Sequence, residues 1–452
     1  GFHVDSHLID SRIYGHLWST ELSRDLYSER GRLDRWISVI AALARAQAEL
    51  GIIPAESAQA ISALRVDELH IDQIAMETRE TSHSTLGLIR ALQAALPPAA
   101  REDVYYGTTV QDITDTALAL EMGVIGAAVW DDLWHIEGRL LQLATEYRST
   151  PMSGRTHGQP GAPITFGYKI ASWVDEIGRH LERLRQSRDR WLVAQLGGAV
   201  GTLGFFGRDA LPLRRAFCAE LGLVEPTISW LTARDRLAEF ANVMAMASAT
   251  LARIANEIYV LQRPELGEVL EASSATVVGS ITMPHKRNPE VSEQIVTLAR
   301  LVRAQAGLLT ETMVQEHERD ARGWKVEWVA LPELCHYTTA ATSLSRTLVE
   351  GIEVEPDAML ANLAAAGFTS SEQLLSRLAG RLGKHQAQTV LNEAYRRARD
   401  TGRPLADLLP DDVTTADLDA TTRIDVGAGP EMVDLVIRLA TERRVDENAQ
   451  WG

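Results

Sequence analysis

Cysteine is scarce in this sequence. Among 452 residues there are only Cys218 and Cys335, and no group of cysteines and histidines has the spacing of zinc ligands. We therefore predict no disulfide framework and no metal site. Scarce cysteine is typical of proteins in a reducing compartment, so we expect a cytoplasmic location.

Positive charge is also in short supply. The chain has 45 Lys and Arg residues against 61 Asp and Glu residues, which gives a net charge of −16 and a pI near 5.3. This balance argues against a protein whose overall surface binds nucleic acid or an anionic membrane. An anionic substrate would need a local basic pocket.

The sequence lacks a long apolar run and a visible secretion signal. Its most apolar segment, residues 240–255, is too short to span a bilayer, and it is bordered or interrupted by Glu239, Asn242 and Arg253. Residues 1–5 show no basic region followed by an apolar core. We expect no membrane association.

Helix-period patterns dominate what is present. A proline-free stretch ends near residue 147, and four long patterns follow it at 163–192, 234–263, 289–318 and 324–351. The last four predict helices on the order of 40 Å long. Helices of this length bury their apolar surface only against several neighbours, so we expect a bundle shared between subunits.

The predicted fold class is therefore all-α. We divide the chain into an N-terminal helical domain (1–107), a central long-helix bundle (108–352) and a C-terminal helical domain (353–452). The C-terminal part includes a polar acidic stretch around 407–419 and a final amphipathic helix.

Residues 279–293 form the most informative stretch of the chain. Prolines at 284 and 289 restrict the backbone on both sides of Lys286, while Gly279 leaves one end free, which predicts a loop that closes over a substrate. Ser280 becomes a base for a carbon-bound proton if nearby cationic groups stabilise its alkoxide. Lys286 and the Asn288 amide are suited to stabilise the carbanion. The alternative is a helix cap at Asn288 with a solvated lysine.

The whole stretch resembles the signature loop of the fumarase/aspartase superfamily. The pattern Gly-Ser-Ser-x-Met-Pro-x-Lys-x-Asn is met at every fixed position except one, because Ile281 replaces the second serine. The resemblance implies that Ser280 is the catalytic base and that Met283 lies against the substrate.

Residues 153–160 hold a second candidate group. Flanking glycines and a proline place His157 in a loop rather than on a packed helix face, and its side chain exchanges protons near neutral pH. The segment resembles the Thr-His-x-Gln-Pro segment of adenylosuccinate lyase and its relatives. That resemblance implies that His157 is the general acid for the leaving group and that Thr156 and Gln159 contact substrate.

Thr108 and Thr109 follow Gly107 at a predicted helix start, and Asp112 completes a capping pattern. Free N–H groups at such a start also bind carboxylates, and the superfamily holds a substrate carboxylate in the equivalent region, although Val110 replaces its usual serine. His83 resembles a substrate-site histidine of adenylosuccinate lyases, without the aspartate that follows it there. Capping explains His83 equally well.

Two further segments indicate a branch of the superfamily. Trp230 stands where adenylosuccinate lyases typically carry a substrate-binding glutamine, and residues 315–334 resemble 3-carboxy-cis,cis-muconate cycloisomerase. Within the second segment, Arg319 is predicted either to bind a substrate carboxylate or to form a helix-end ion pair. A glycine-rich segment, residues 197–204, corresponds to one that lies close to the substrate in relatives.

The resemblance implies a homotetramer, active sites assembled from three chains, a small dicarboxylate substrate and no cofactor. The first functional hypothesis is anti elimination from a succinyl unit, which releases fumarate and a nitrogen-linked leaving group such as an amine or nitrite. The second is the lactone-forming cycloisomerase reaction. The third is a non-catalytic structural protein similar to lens crystallins.

Overall fold

The computed structural model of the protein describes residues 3–274, 276–367, 371–411, 413, 423–447 and 451. Helices make up most of this part of the chain, and its strands are short. The predicted all-α class is confirmed. The boundaries proposed at residues 107 and 352 stay a prediction.

The N-terminal region is a small helical cluster. After short 3-10 turns at Leu8–Asp10 and Gly15–Leu17, it contains α1 (Glu21–Tyr27), α2 (Glu29–Glu49), α3 (Ala55–Ser62), α4 (Ile71–Thr81) and α5 (Leu86–Ala95). Further 3-10 turns lie at Val66–Glu68 and Pro98–Ala100. Ile40, Leu43 and Leu92 belong to its hydrophobic core, which extends to Phe217 from a helix much later in the chain.

Long helices form the centre of the molecule. They are α6 (Val110–Glu146), α7 (Phe166–Trp191), α9 (Asp235–Leu261), α10 (Glu290–Glu311) and α11 (Ala321–Gly351), with the shorter α8 (Ala210–Leu221) between α7 and α9. A six-residue 3-10 turn, Gly204–Asp209, precedes α8. Their shared core contains fully buried aromatic side chains such as Trp130, Trp191 and Phe240.

Two short antiparallel strand pairs interrupt the helices. Strands β1 (Pro151–Thr156) and β2 (Gln159–Thr165) form a hairpin between α6 and α7, and β3 (Val269–Leu270) pairs with β4 (Glu353–Val354) at the end of α11. The helical patterns predicted neither pair. Each is too short or too polar to give a clear alternating signal.

The predicted helices over 163–192 and 234–263 correspond closely to α7 and α9. The prediction for 289–318 was wrong at its end, because α10 stops at Glu311 and α11 already begins at Ala321. Asp320 explains the early start of α11: its carboxylate accepts the N–H groups of Arg322 and Glu316, both at 3.1 Å, and thereby caps the new helix.

The C-terminal helices are α12 (Pro356–Ala365), α13 (Ser371–Leu382), α14 (Lys384–Thr401) and α15 (Gly429–Glu447), with a 3-10 turn at Leu405–Leu408. Helices α13 and α14 share a small core that includes Leu374 and Leu391. Helix α15 returns to the bundle, where Arg444 donates to Glu137 of α6 at 3.0 Å. Much of the predicted acidic stretch at 407–419 lies outside the described residues.

Helix α6 is the element that comes nearest to a membrane span, rather than residues 240–255. It contains an 18-residue window that is apolar enough by length and composition, but 61% of that window is buried inside the structure. A buried core helix passes the same test. Its apolar surface packs against α7 and α11.

Candidate active site

His157 lies at the tip of the β1–β2 hairpin. Thr156 pairs with Gln159, and the two turn residues between them, His157 and Gly158, have φ angles of 55° and 74°. Positive φ at both positions is the geometry of the two-residue turns that suit antiparallel strands. A non-glycine residue rarely adopts positive φ, so the backbone of His157 is strained, as it often is at functional sites. The imidazole side chain is exposed.

An internal ion pair fixes this hairpin to the end of α9. Arg155 donates two hydrogen bonds, of 3.1 and 2.7 Å, to the carboxylate of Glu268, which is fully buried. Asn362 donates to the same carboxylate at 2.7 Å. A bidentate pair of this kind sets orientation as well as position. The hairpin therefore presents His157 from a rigid base.

The predicted catalytic loop has a narrow neck. The Asn288 side-chain amide donates to the Gly279 carbonyl at 2.6 Å. A Cβ atom at Gly279 would lie 1.9 Å from the Lys286 carbonyl oxygen, so only glycine allows the two backbone segments to approach this closely. Asn288 thus closes the neck in this structure, and residues 280–287 form the tip.

The tip of the loop is exposed, and its hydrogen bonds are local. The Ser280 hydroxyl accepts the Met283 N–H at 3.1 Å and lies 3.3 Å from the Thr282 hydroxyl. The Lys286 ammonium group is exposed, and no hydrogen bond joins Ser280, Lys286 or Asn288 to His157, all of which the structure describes. The proposed base and the proposed acid are therefore not in hydrogen-bond contact within this chain.

Glu271 anchors the base of the loop. Its carboxylate accepts the N–H groups of Val291 and Ser292 at 3.1 and 3.0 Å, so it caps the start of α10 from outside the helix. The Ser292 hydroxyl donates to it at 2.5 Å, and Arg287 donates to the Glu271 carbonyl at 2.5 Å. Both ends of the loop are thus tied to the start of α10.

A second group of predicted residues meets at the start of α6. Arg319 donates to the Thr109 hydroxyl at 2.7 Å and to the Gln111 side-chain oxygen at 2.9 Å. Its Nη2 donates to no other described residue. The helix-end ion pair, which was the alternative for Arg319, is therefore not formed with any described residue. A positive, half-buried guanidinium remains beside a helix N-terminus, which suits a carboxylate. Thr108 is adjacent and donates to the Tyr105 carbonyl at 3.3 Å.

Asp112 joins the glycine-rich segment to this helix start. Its fully buried carboxylate accepts the N–H groups of Gly197 at 2.7 Å and of Gly198 and Thr109 at 3.1 Å. Burial raises the pKa of Asp112 to about 7, against the effect of these three donors. The glycine-rich segment therefore lies next to Thr109.

A buried charge network holds Arg319 in place through the side chain of Gln111. The Gln111 amide donates to Asp115 at 3.3 Å, and Asp115 accepts two bonds from Arg234, at 2.9 and 3.0 Å. Arg234 also donates to Glu327 at 2.6 and 2.8 Å. Burial alone lowers the pKa of Arg234, but the two carboxylates raise it above its usual value, so the guanidinium stays charged.

Trp230 was predicted to contact substrate, and its position corrects that prediction. Its ring is 2% exposed, its indole N–H donates to the Ala194 carbonyl at 2.9 Å, and the Arg234 guanidinium lies 5.1 Å from the ring centre. Tryptophan is large and apolar enough to fill a core position, and here it packs under the charge network. Trp230 therefore supports Arg234 from the interior.

His83 caps α5. Its Nδ1 atom accepts the N–H groups of Thr85 and Leu86 at 3.2 and 3.0 Å. An accepting Nδ1 carries no proton, so the neutral ring has its proton on Nε2. The side chain is exposed. Capping and substrate binding are thus compatible, because the cap orients an N–H donor towards solvent.

The twelve predicted site residues separate into two sets. The start of α6, which we call the Thr109 end, carries His83, Thr108, Thr109, Trp230 and Arg319. The opposite end, which we call the His157 end, carries Thr156, His157, Gln159, Ser280, Met283, Lys286 and Asn288. The 37 residues of α6 separate these ends by about 55 Å.

No group of three or more His, Cys, Asp or Glu side chains among the described residues has the arrangement of a metal site. Positive charge at the two ends comes from the side chains of Arg319 and Lys286. Such groups bind carboxylates directly.

Comparisons with known proteins show which family the chain belongs to. A family described as lyase matches residues 19–304. An N-acetyl-S-(2-succino)cysteine lyase from Enterococcus italicus is 38% identical over 429 residues, which cover 94% of this chain and 94% of that protein. The chain belongs to the fumarase/aspartase superfamily of lyases. The resemblance drawn from the 279–293 loop is confirmed.

The chain is also similar to two enzymes of the cycloisomerase branch of this superfamily. A 3-carboxy-cis,cis-muconate cycloisomerase from Pseudomonas aeruginosa is 37% identical over 391 residues, 85% of each protein. The crystal structure of 3-carboxy-cis,cis-muconate lactonizing enzyme from Pseudomonas putida has a TM-score of 0.86 at 32% identity, and the match covers 94% of this chain and 98% of that one.

Sequence reasoning missed the ion pairs that hold the candidate site residues in place. Asp115, Arg234 and Glu327 form the charge network, and Arg155 with Glu268 holds the hairpin. One signal was available: Asp115 and Glu327 are acidic positions in largely apolar helical stretches, which indicates a buried ion pair. The partner could not be deduced, because it lies more than ninety residues away in the chain.

Because the charge network is buried, we predict that breaking it destabilises the protein far more than breaking an exposed ion pair does. Glu327→Ala leaves Arg234 buried with one carboxylate, so we expect the free energy of unfolding to fall by about 3–5 kcal/mol. The matched control is Asp175→Ala, which removes an exposed pair with Arg179 on α7 and is expected to cost at most about 1 kcal/mol. Urea unfolding measures both. Equal losses in the two variants would contradict a structural role for the network.

Proposed function

We propose that the protein catalyses β-elimination from an S-succinylated thiol, which releases fumarate and the free thiol. The observation that carries this proposal is the 38% identity with the Enterococcus italicus succinocysteine lyase over 94% of both chains. The presence of Ser280, Lys286, Asn288 and His157 supplies the chemistry. The nitrogen-linked leaving group expected from the sequence has no comparable support among the relatives described above.

Ser280 is the base of the proposed reaction. As an alkoxide it removes the proton from the carbon beside one carboxylate, and the electron pair passes into that carboxylate as an enolate-like dianion. Lys286, brought in by closure of the loop, stabilises both the alkoxide and the dianion. Asn288 contributes by holding the neck shut, as its bond to Gly279 indicates.

His157 is the acid. When the electron pair returns to form the double bond, the carbon–sulfur bond breaks and its electron pair leaves with sulfur. A protonated His157 gives its proton to the thiolate. A thiol has a pKa near 8.5, so sulfur can depart as a thiolate, whereas a neutral amine must be protonated before it departs. Sulfur therefore needs less help from the acid than an uncharged nitrogen does.

Arg319, Thr109 and the N–H groups at the start of α6 bind the carboxylate away from the breaking bond. Within one chain, the length of α6, about 55 Å, separates these groups from the His157 end. A single diacid spans only a few ångströms. We therefore propose that each active site combines the His157 end of one chain with the Thr109 end of another, in a homo-oligomer. The predicted homotetramer satisfies this requirement.

The cycloisomerase reaction is the second candidate, favoured by the Pseudomonas aeruginosa relative at 37% identity. It uses the same carboxylate-binding end and adds a carboxylate across a double bond instead of expelling a group. His157 favours elimination, because a leaving group needs an acid on the far side of the substrate from the base.

Removal of Ser280 provides the direct test. With S-(2-succino)cysteine derivatives we expect the wild-type protein to release fumarate, measured by ultraviolet absorbance, and Ser280→Ala to lower turnover by about 10³-fold because the base is lost. The control is Ser274→Ala, on the same loop but outside its neck. Wild-type consumption of a carboxymuconate without fumarate release would support the cycloisomerase instead, and full turnover by Ser280→Ala would remove that serine from the mechanism.

His157 is tested through the acidity of the leaving group. Asn tolerates positive φ, so His157→Asn preserves the turn while removing the acid. With a succinylated alkylthiol we expect a loss in kcat of about 100-fold, and with a more acidic arylthiol a loss below tenfold. Fumarate release with both substrates gives the comparison. Equal losses would show that His157 does not protonate the leaving group.

A further inference from the structure

Exposed apolar side chains lie on both sides of Ser280. Val277, Val278 and Ile281 are all exposed, and 94% of the Ile281 surface is open to solvent. Ile281 is also the residue that replaces the second serine of the superfamily pattern. Burial of apolar surface is favourable, and a group of such side chains on one loop marks a surface that another surface covers. The proposed chemistry uses none of these three side chains.

A second group of exposed apolar side chains lies at the Thr109 end. We call it the Phe205 patch, and it consists of Tyr106, Val200 and Phe205. The rings of Tyr106 and Phe205 meet edge to face with their centres 5.1 Å apart. Val200 belongs to the glycine-rich segment that Asp112 holds against the start of α6. Because Tyr106 is three residues before Thr109, the patch borders the groups proposed to bind the substrate carboxylate.

The Phe205 ring is held in place although 61% of its surface is exposed. A Cβ atom at Gly107 would overlap this ring, so only glycine allows the ring to lie so close to the start of α6. The buried Phe206 packs edge to face against it with ring centres 5.2 Å apart. The Leu203 N–H donates to the Gly197 carbonyl at 2.9 Å and closes the preceding turn. A fixed aromatic ring loses little conformational freedom when it is covered, which suits a docking surface.

The loop does not reach the Phe205 patch of its own chain. Gly279 and Asn288 close the neck, so residues 280–287 form the part that projects. A hairpin of that length extends at most about 14 Å from its neck. The length of α6, about 55 Å, separates the His157 end, which carries the loop, from the Thr109 end, which carries the patch. A second copy of the chain is therefore the partner that brings the loop and the patch together.

We propose that Val278 and Ile281 dock on the Phe205 patch of a second copy, and that this apolar contact places Ser280 beside the Arg319 of that copy. The inference rests on the proposed function, in which the His157 end of one chain meets the Thr109 end of another. It adds the surface that seats the base and gives Ile281 a role. A small substrate beside Arg319 would leave the loop side chains exposed, whereas contact between the loop and the patch covers both apolar groups.

Paired cysteine substitutions test the contact. Cys218 and Cys335 are both buried, so an added exposed pair reacts without interference from them. The double variant Ile281→Cys/Phe205→Cys is treated with a mild oxidant and run on a non-reducing gel. We expect a covalent dimer, because a disulfide forms only where two Cβ atoms come within about 4.5 Å, and these two positions meet only between chains.

The matched control is the double variant Ile281→Cys/Leu439→Cys. Leu439 lies on α15 and is 59% exposed, almost the same as Phe205, but it belongs to neither end of the proposed site. We expect at least about fivefold less covalent dimer than in the Phe205 pair, because only chance collisions link these positions. Equal amounts of dimer in the two variants, or no dimer in either, overturn the inference.

The kinetic consequence is measured with the single variants Phe205→Ala and Ile281→Ser. Each removes apolar surface from one side of the contact, so we expect kcat for fumarate release to fall about tenfold while KM changes less than about twofold. Phe205→Leu keeps an apolar side chain and is expected to retain at least about a third of the wild-type kcat. Leu439→Ala is the control and is expected to leave both constants unchanged. Loss of kcat in none of the contact variants overturns the inference.

The two measurements separate this inference from the proposed function. If the covalent dimer forms but the wild-type protein releases no fumarate from succinylated thiols, the contact stands and the proposed function fails. If fumarate is released but the Phe205 pair gives no more dimer than the control pair, the proposed function stands and the inference fails. A protein that is monomeric in solution overturns both the contact and the composite site.

Discussion

The length of one uninterrupted helix constrains everything else in this protein. Helix α6 runs for 37 residues and carries Thr109 at its start, while the hairpin with His157 follows its end. About 55 Å of helix therefore separates the groups suited to bind a carboxylate from those suited to move a proton. Because neither set completes an elimination site, the proposed chemistry requires association of chains.

The two ends differ in how firmly hydrogen bonds and ion pairs hold their residues. At the Thr109 end, Asp115, Arg234 and Glu327 form a buried network that fixes Gln111 and, through it, Arg319. At the His157 end, the hairpin is fixed but the loop beside it is anchored only at its base and neck. In the proposed reaction, the rigid end positions the substrate and the loop with the base then closes over it and excludes water.

Sequence patterns predicted the parts of this arrangement whose signal is local. The 279–293 loop, the turn around His157 and the long helices each depend on neighbouring residues, so their types were correctly inferred. The end of α10 was misplaced because Asp320 caps the next helix. Trp230 was assigned to substrate although it packs in the core. Nothing local distinguishes a buried tryptophan from one that lines a site.

The long-range pairs were beyond sequence reasoning for a related reason. Arg155 and Glu268 are more than a hundred residues apart, and their bond exists only because α9 ends beside the hairpin. The same holds for Arg319 and Thr109. Motifs identified the chemical groups; the direction of each helix decided which groups share an end of the bundle.

Complementation between two inactive variants tests the central claim most directly. Ser280→Ala and Arg319→Met, co-expressed with different affinity tags and purified through both, give oligomers that contain both chains. If a site takes Ser280 from one chain and Arg319 from another, some sites in these mixed oligomers are intact, and fumarate release returns to a substantial fraction of the wild-type rate while each variant alone stays inactive. Mixed oligomers as inactive as the single variants would show that both residues act within one chain and would contradict the account.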